Sequence, residues 1–374
     1  MTPYLRAANV KDGQLLLEDV LNMNFTESER DVYQLLPGDV LVTEGCGSIR
    51  ELGASARWDG SIEGAVCYQN TLLRLRAIPG LVLPGFLEHW ARWAHRSGIW
   101  AATASGTNIF HIGVQRAREV TALLPPIAEQ RRIVDLLDTL DRVIAAARHH
   151  TNLAIESTDR LRSDLLSRVL EVSPSASLGE VLERVRRPIP VSPDEEYRQI
   201  GIRSHARGIF HKDPVAGAGL GSKKVFRIEP GDLVFNIVFA WERAVAVARE
   251  TEVGMCGSHR FPTYRPSTGV EVDYFRHFFT APVGAQLLQL ASPGSAGRNR
   301  TLNQSMLMSF AVPSPDPVLA RKVTALLAAA EELVNRSDRA VHAAIGLRQA
   351  ALNELLSGAH EIPDSYDELL ERAS

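Results

Sequence analysis

Apolar and small residues between Pro125 and Leu170 recur in alternating steps of four and three: Ile133, Leu137, Leu140, Ile144, Ala147, Thr151, Ala154, Thr158, Leu161 and Leu165. That is the seam of a helix packed lengthwise against another helix. Pro125 and Pro126 open the stretch, and proline is tolerated at a first helical position. No Pro or Gly follows until Pro174. A helix of about 45 residues would be ~67 Å long, too long to stand without a partner. A shift of 190 residues supplies one, with a second seam at Val323, Leu327, Ala330, Val334, Ser337, Val341, Ala344, Arg348, Ala351 and Leu355. Leu165-Leu166-Ser167 falls on Leu355-Leu356-Ser357, and the unbroken register marks an internal repeat.

The stretches between the helices follow a common plan. In the first, 33–43 reads as a turn at Pro37-Gly38-Asp39 and then a strand, and 67–75 as another strand. Residues 86–100 predict a helix whose apolar face is Phe86, Leu87, Trp90, Trp93 and Ala94, with the tryptophans in the core, and 104–110 predicts a polar loop. In the second, Tyr197 and Pro230-Gly231-Asp232 lie 193 residues after Tyr4 and Pro37-Gly38-Asp39. Residues 274–290 are the counterpart of the tryptophan helix and 292–300 of the loop. Residues 177–196 have no counterpart before Tyr4, so the first repeat starts about 20 residues late. A misplaced start codon, a truncation or the loss of an opening element would each produce that.

The expected fold is α+β: two mixed α/β domains separated by two long antiparallel coiled-coil helices, with an internal pseudo-two-fold repeat. The expected boundaries are 1–124 for the first domain, 125–171 for the first long helix and 172–312 for the second domain. Residues 313–357 form the second long helix and 358–374 an acidic tail.

The 374 residues suffice for two domains plus helices, and 45% hydrophobic with 23% charged is an ordinary composition. Three cysteines without a Cys-x-x-Cys fit a reducing compartment. No opening apolar run suits a signal peptide and no segment reaches a membrane span, so a cytoplasmic location is expected. Net charge is -3, but residues 173–312 hold 17 Lys+Arg against 13 Asp+Glu. DNA binding needs a local positive face rather than a basic whole.

No catalytic constellation emerges. The Asx-Pro-Pro-aromatic motif of amino-methyltransferases is absent, since LLPPIAE at 123–129 lacks both the Asx and the aromatic. GAGLGSKK at 217–224 has the wrong spacing for a phosphate loop. Eleven histidines without ligand spacing predict no metal site. What remains is recognition by polar loops at equivalent places in both domains. The candidates are Ser48 and Arg50, then Thr107 and Asn108, in the first domain. In the second they are His205, Arg207, Lys223, Lys224, Arg243, His259, Arg260, Arg298, Asn299 and Arg300. Such side chains read base edges or hold phosphates.

LPPIAEQRRIVDLLD at 124–138 resembles the helix-opening motif of specificity subunits of type I restriction-modification systems. YLRAANVKDG at 4–13 and LPGDVLVTEG at 36–45 resemble the opening of a target recognition domain in that family. VPSPDPVLARKV at 312–323 departs from the motif by lacking its AEQ core. The resemblance implies a non-catalytic reader of a bipartite, asymmetric target in double-stranded DNA, each domain taking one half-site and the helices acting as spacer. It implies two methylation subunits and restriction/translocase subunits as partners. S-adenosylmethionine, ATP and Mg belong to those partners, with no cofactor in this chain. Two other readings stand beside it: the recognition chain of a type II system with a fused nuclease-methyltransferase, and a coiled-coil scaffold that does not touch DNA. A neighbouring gene for the fused enzyme separates the first, and a salt-dependent gel shift the second.

Overall fold

The structure is a computed structural model describing residues 1–106, 109–221, 223–294 and 300–373, with side chains through 369. It divides into two compact units, residues 1–148 with 339–374, and residues 149–338. The fold is mixed α and β, with long helices at Ile127–Val172 and Pro317–Leu356. Each helix contributes part of its length to each unit.

The first unit is built on the strand Val40–Thr43, paired antiparallel with Ser55–Arg57 on one side and Leu72–Leu75 on the other. All four of its residues are buried because both faces are covered. Side chains alternate across a strand. Val40 and Val42 therefore join Phe86, Trp90 and Ala94 of the helix Pro84–Arg96, while Leu41 joins Leu5, Val10, Leu35 and Trp58 on the other face. The expected helix over 86–100 is two helices, Pro84–Arg96 and Ile99–Thr103, because Gly98 takes a left-handed φ of 81°. Trp90 and Trp100 are buried edge to face, with ring centres 5.7 Å apart.

Ile133 and Leu137 of the first long helix share this core with Leu352 and Leu356 of the second. Arg348 meets Asp141 one step further along, so the helices run antiparallel here. The sequence around the helix start has a local purpose. Gln130 is fully buried, accepting from the Leu83 N–H and donating to the carbonyls of Leu81 and Pro125. Glu129 accepts from the Ile362 N–H at 2.7 Å, and Arg132 donates to Asp367 of the short helix Ser365–Ala373. The acidic segment after the second long helix is thus fastened to the start of the first.

The second unit repeats the central strand. Leu233–Phe235 pairs with Val245–Val247 and Thr263–Pro266, and Leu182–Val185 completes an antiparallel sheet of four. Leu233 and Phe235 face one core and Val234 another, the alternation of Val40, Leu41 and Val42 again. Ser175–Ser177 and Ala311–Pro313 pair antiparallel. The expected helix over 274–290 divides into Val272–Thr280 and Pro282–Leu290. Ala281 between them is extended, because the Pro282 ring disfavours a helical preceding residue. The long helices are again antiparallel: Leu166 and Val169 share a core with Ala320, Val323 and Leu327, and Arg162 meets Glu331.

The seam of the second long helix is where the sequence puts it, with Val323, Leu327, Val341 and Arg348 buried and the rest half-buried. On the first helix Leu161 departs: it is exposed, and Leu166 and Val169 are buried instead. A straight helix drifts ~20° per heptad from a 3.5-residue repeat. Thr151 and Val169 are 18 residues apart, which is five turns at 3.6 residues each. The lower half of the helix follows the straight period. The second helix lacks the AEQ core for a packing reason: Ala320 stands where the first has Gln130, and it is buried in an apolar cluster rather than capping loop carbonyls.

Candidate nucleic-acid interface

The Pro-Gly-Asp turns are anchors rather than readers. Gly38 and Gly231 hold φ of 98° and 85°, a region glycine enters without a Cβ penalty. Asp39 and Asp232 are buried. Asp39 accepts from the Leu36 N–H and from two guanidinium nitrogens of Arg76, at 2.6 and 2.7 Å. Asp232 accepts from the Glu229 N–H and from both Arg187 and Arg265. Each carboxylate fixes the strand that follows it and ties in the arginines beside it.

In the first unit, Gly45–Cys46 pairs antiparallel with Phe110–His111, with Cys46 opposite Phe110. Ser48 is half-buried, and its carbonyl accepts from the N–H groups of Glu51 and Leu52 and from Cys46 Sγ. Arg50 is exposed and has no ion-pair partner among the described residues. Burial raises the Glu44 carboxyl above its usual range, and His111 acts the other way. Thr107 and Asn108 lie outside the described residues.

In the second unit the candidates form two groups. Val225–Arg227 pairs with Cys256–Ser258 with Val225 opposite Ser258, so Lys223 and Lys224 enter the sheet beside His259 and Arg260. All four are exposed. His259 also lines an open cleft of about 220 Å³ together with Arg184, Arg186, Phe226 and Phe261. Sequence reasoning missed these two arginines. The available signal was strand alternation from Leu182, which puts residues 184 and 186 on one face.

The other group lies at the turn of the hairpin Ile200–Ile202 with Ile209–His211. Arg207 is exposed at its tip. His205 and Arg243 line an open cleft of about 400 Å³ with Trp241, Gln286 and Gln289. Arg243 is committed in part, donating Nη1 to the Thr280 carbonyl at 3.3 Å. Arg300 stacks on Trp241, with its guanidinium carbon 5.1 Å from the ring centre. Arg298 and Asn299 lie outside the described residues.

A cluster of strongly shifted groups sits elsewhere, where the globular part of the second unit meets its long helices. Arg276 and Arg162 both donate to Glu331. Burial and the neighbouring Arg276 push His277 down to about 4. Asp273 falls to about 2: burial raises it, and the hydrogen bonds and charges of Arg249 and Arg276 outweigh that. This cluster binds elements to one another. Among the described residues no group of three or more His, Cys, Asp or Glu is placed to hold a metal, and no helix is long and apolar enough to cross a membrane.

No family model matches the sequence. The chain is similar to the specificity subunit of the type I restriction enzyme EcoKI of Escherichia coli K12, 23% identical over 226 residues, 60% of this chain and 46% of that one. It spans about half the length of the curated relatives it matches. Its fold is similar to a chain solved in work on complex assembly and conformational transition of the type I restriction-modification system. The TM-score there is 0.57 with 16% identity, covering 95% of this chain and 91% of that one. It is also similar to the type I restriction-modification S subunit from M. genitalium, with a TM-score of 0.52 and 14% identity over 95% and 88% of the two chains.

Proposed function

We propose that this chain is the DNA-recognition subunit of a type I restriction-modification system, reading a bipartite, asymmetric target and directing partner subunits that methylate or cut it. The observation that carries this is the joint likeness: sequence similarity to a named specificity subunit over 60% of the chain, and the fold of such proteins over 95% of it. Basic side chains at Arg50, Lys223, Lys224 and His259, exposed and without an ion-pair partner among the described residues, support it. Arg76, Arg187, Arg265 and Arg276, by contrast, are held by carboxylates.

On this reading each unit takes one half-site. The polar loops of the two units share almost no residues, so the half-sites differ and the target is not a palindrome. Phosphates are held by the lysine-rich strand entry and base edges by the turn at His205 with Arg300, with Ser48 and Arg50 serving the first unit. Two methylation subunits and restriction/translocase subunits are the partners, and S-adenosylmethionine, ATP and Mg act there. This chain supplies position and sequence choice.

The test is to produce the chain with its neighbouring methylation subunits and map methylated bases across a genome. Two unlike half-sites with an unread gap are expected, together with DNA binding by the chain alone that weakens steeply with salt. Methyl transfer by the isolated chain, or no salt-dependent binding to duplex DNA, would overturn the reading.

A further inference from the structure

Three non-glycine residues among those described have positive φ: His205 and Ala206 at 59° and Arg243 at 61°. They lie 37 residues apart in sequence and at one place in the fold. The His205 N–H donates to the Glu242 carbonyl at 2.7 Å, the Ala206 N–H to the Arg243 carbonyl at 3.0 Å, and Ser204 Oγ to Glu242 Oε2 at 2.5 Å. Left-handed backbone at such residues is strained and persists only where the surroundings over-determine it, which happens chiefly at ligand sites. Here the two strained turns clasp each other, and the clasp holds out Trp241 on the short turn Ala240–Glu242. The Trp241 indole N–H donates to the Val238 carbonyl at 3.2 Å, which fixes the ring plane.

Arg300 lies on that ring. Its Nε is buried without a hydrogen-bond partner, and it has no ion pair among the described residues. That sets it apart from Arg162, Arg187, Arg249, Arg265 and Arg276 of the same unit, each of which meets a carboxylate. A guanidinium held over an indole face has lost much of its freedom, and its planar fork carries paired coplanar N–H donors. The coplanar acceptor pair it matches is O6 and N7 of guanine in the major groove. A phosphate would be served as well by a mobile lysine of the kind exposed at Lys223 and Lys224, and would need neither the stack nor the strain.

Building on the DNA-recognition reading, we infer that the Trp241–Arg300 stack, held by the strained clasp of His205-Ala206 on Arg243, is the guanine reader of the second unit. His205, Gln286 and Gln289 around the same cleft are placed to contact the adjoining base pairs.

The experiment measures binding of the full-length chain, with its methylation subunits, to duplexes carrying each single substitution in the mapped target. For the wild type, one G·C pair in one half-site is expected to depend on this stack. Arg300→Ala should reduce discrimination at that pair roughly tenfold to hundredfold and leave every other position as selective as before, which also shows that the fold is intact. Arg300→Lys should retain affinity and salt dependence but lose much of the discrimination, because an ammonium cannot make the bidentate contact. Trp241→Leu should move in the same direction. A uniform loss across all duplexes, with a shallower salt slope, would make Arg300 a phosphate contact and overturn the inference. Unchanged selectivity would overturn it too. A wild type that selects no sequence at all would overturn the functional reading itself.

Discussion

Arg348 donates from Nε and Nη2 to the two carboxylate oxygens of Asp141, at 2.5 and 2.8 Å, and so joins the two long helices where they share the core of the first unit. Arg348 is buried, while the Asp141 side chain is 37% exposed. Removing the guanidinium strands a half-buried carboxylate, a cost that solvent partly screens. Arg348→Ala is expected to lower stability by about 1–3 kcal/mol, read as a shift in the urea midpoint. Arg348→Lys should fall between, since the charge remains and the fork is lost. A midpoint within error of wild type for Arg348→Ala would show that the helices are held by Ile133, Leu137, Leu352 and Leu356 alone.

The same pair carries a pH dependence. Burial raises the Asp141 carboxyl, and the hydrogen bonds and charge of Arg348, with Arg92, more than reverse it, leaving it below the ordinary 3.8. A folded value below the unfolded one gives stability that is present above about 4 and lost as pH falls through the folded value. Arg348→Ala should flatten the acid limb of a plot of unfolding free energy against pH below 4.

His277 acts in a different window. Its folded value of about 4 lies below its ordinary 6.5, so the unfolded chain binds the proton first. Stability is then complete above 6.5 and falls as pH drops from 6.5 to 4. The loss is on the order of 3 kcal/mol at most. His277→Gln should remove the pH dependence in that interval while leaving the Asp141 effect below 4. Ring-proton chemical shifts followed by NMR give an independent reading, and a midpoint near 6.5 would refute the assignment.

Asp232 and Asp39 occupy matching turns with different loads. Asp232 is fully buried and faces two arginines, whereas Asp39 faces one. Asp232→Ala takes a buried acceptor from two guanidinium groups, which keep only Glu229 as a carboxylate partner, and from a turn N–H, and about 2–4 kcal/mol of lost stability is expected. Asp39→Ala should cost less, because one guanidinium rather than two loses a buried acceptor. Denaturant titrations of the two variants test the order, and an equal or reversed loss would show that the arginines are not what the turns hold.

Arg184, Arg186, Lys223 and Lys224 stand around the cleft that His259 lines or beside it. If they hold phosphates, replacing them in pairs by Ala should weaken binding to all sequences alike. The log–log salt slope should fall by ~1 for each contact removed. That signature is the opposite of the one expected at Arg300, where selectivity changes and the slope does not. Fluorescence anisotropy at several salt concentrations distinguishes them.

The long helices, most of their seam and the tryptophan helix face were legible because they rest on residues three and four apart. The Pro-Gly-Asp turns were legible as turns. Their aspartates were not legible as buried anchors, because Arg76 lies 37 residues after Asp39 and Arg187 lies 45 before Asp232. The division of 274–290 was written in Pro282 and overlooked. Leu161 was misplaced because a heptad count assumes a supercoil, and the lower part of the first helix follows the straight-helix period.

By itself, then, the sequence determined the two long helices, most of the faces they bury and that the plan occurs twice, since these depend on short periodicities in the chain. The tertiary structure alone decided which arginines are consumed by carboxylates and which remain free. It brought Arg184 and Arg186 to His259, and it set His205 and Ala206 against Arg243. Those partners are separated by tens of residues, and no local pattern encodes the approach of groups that meet only when the sheets and helices have packed.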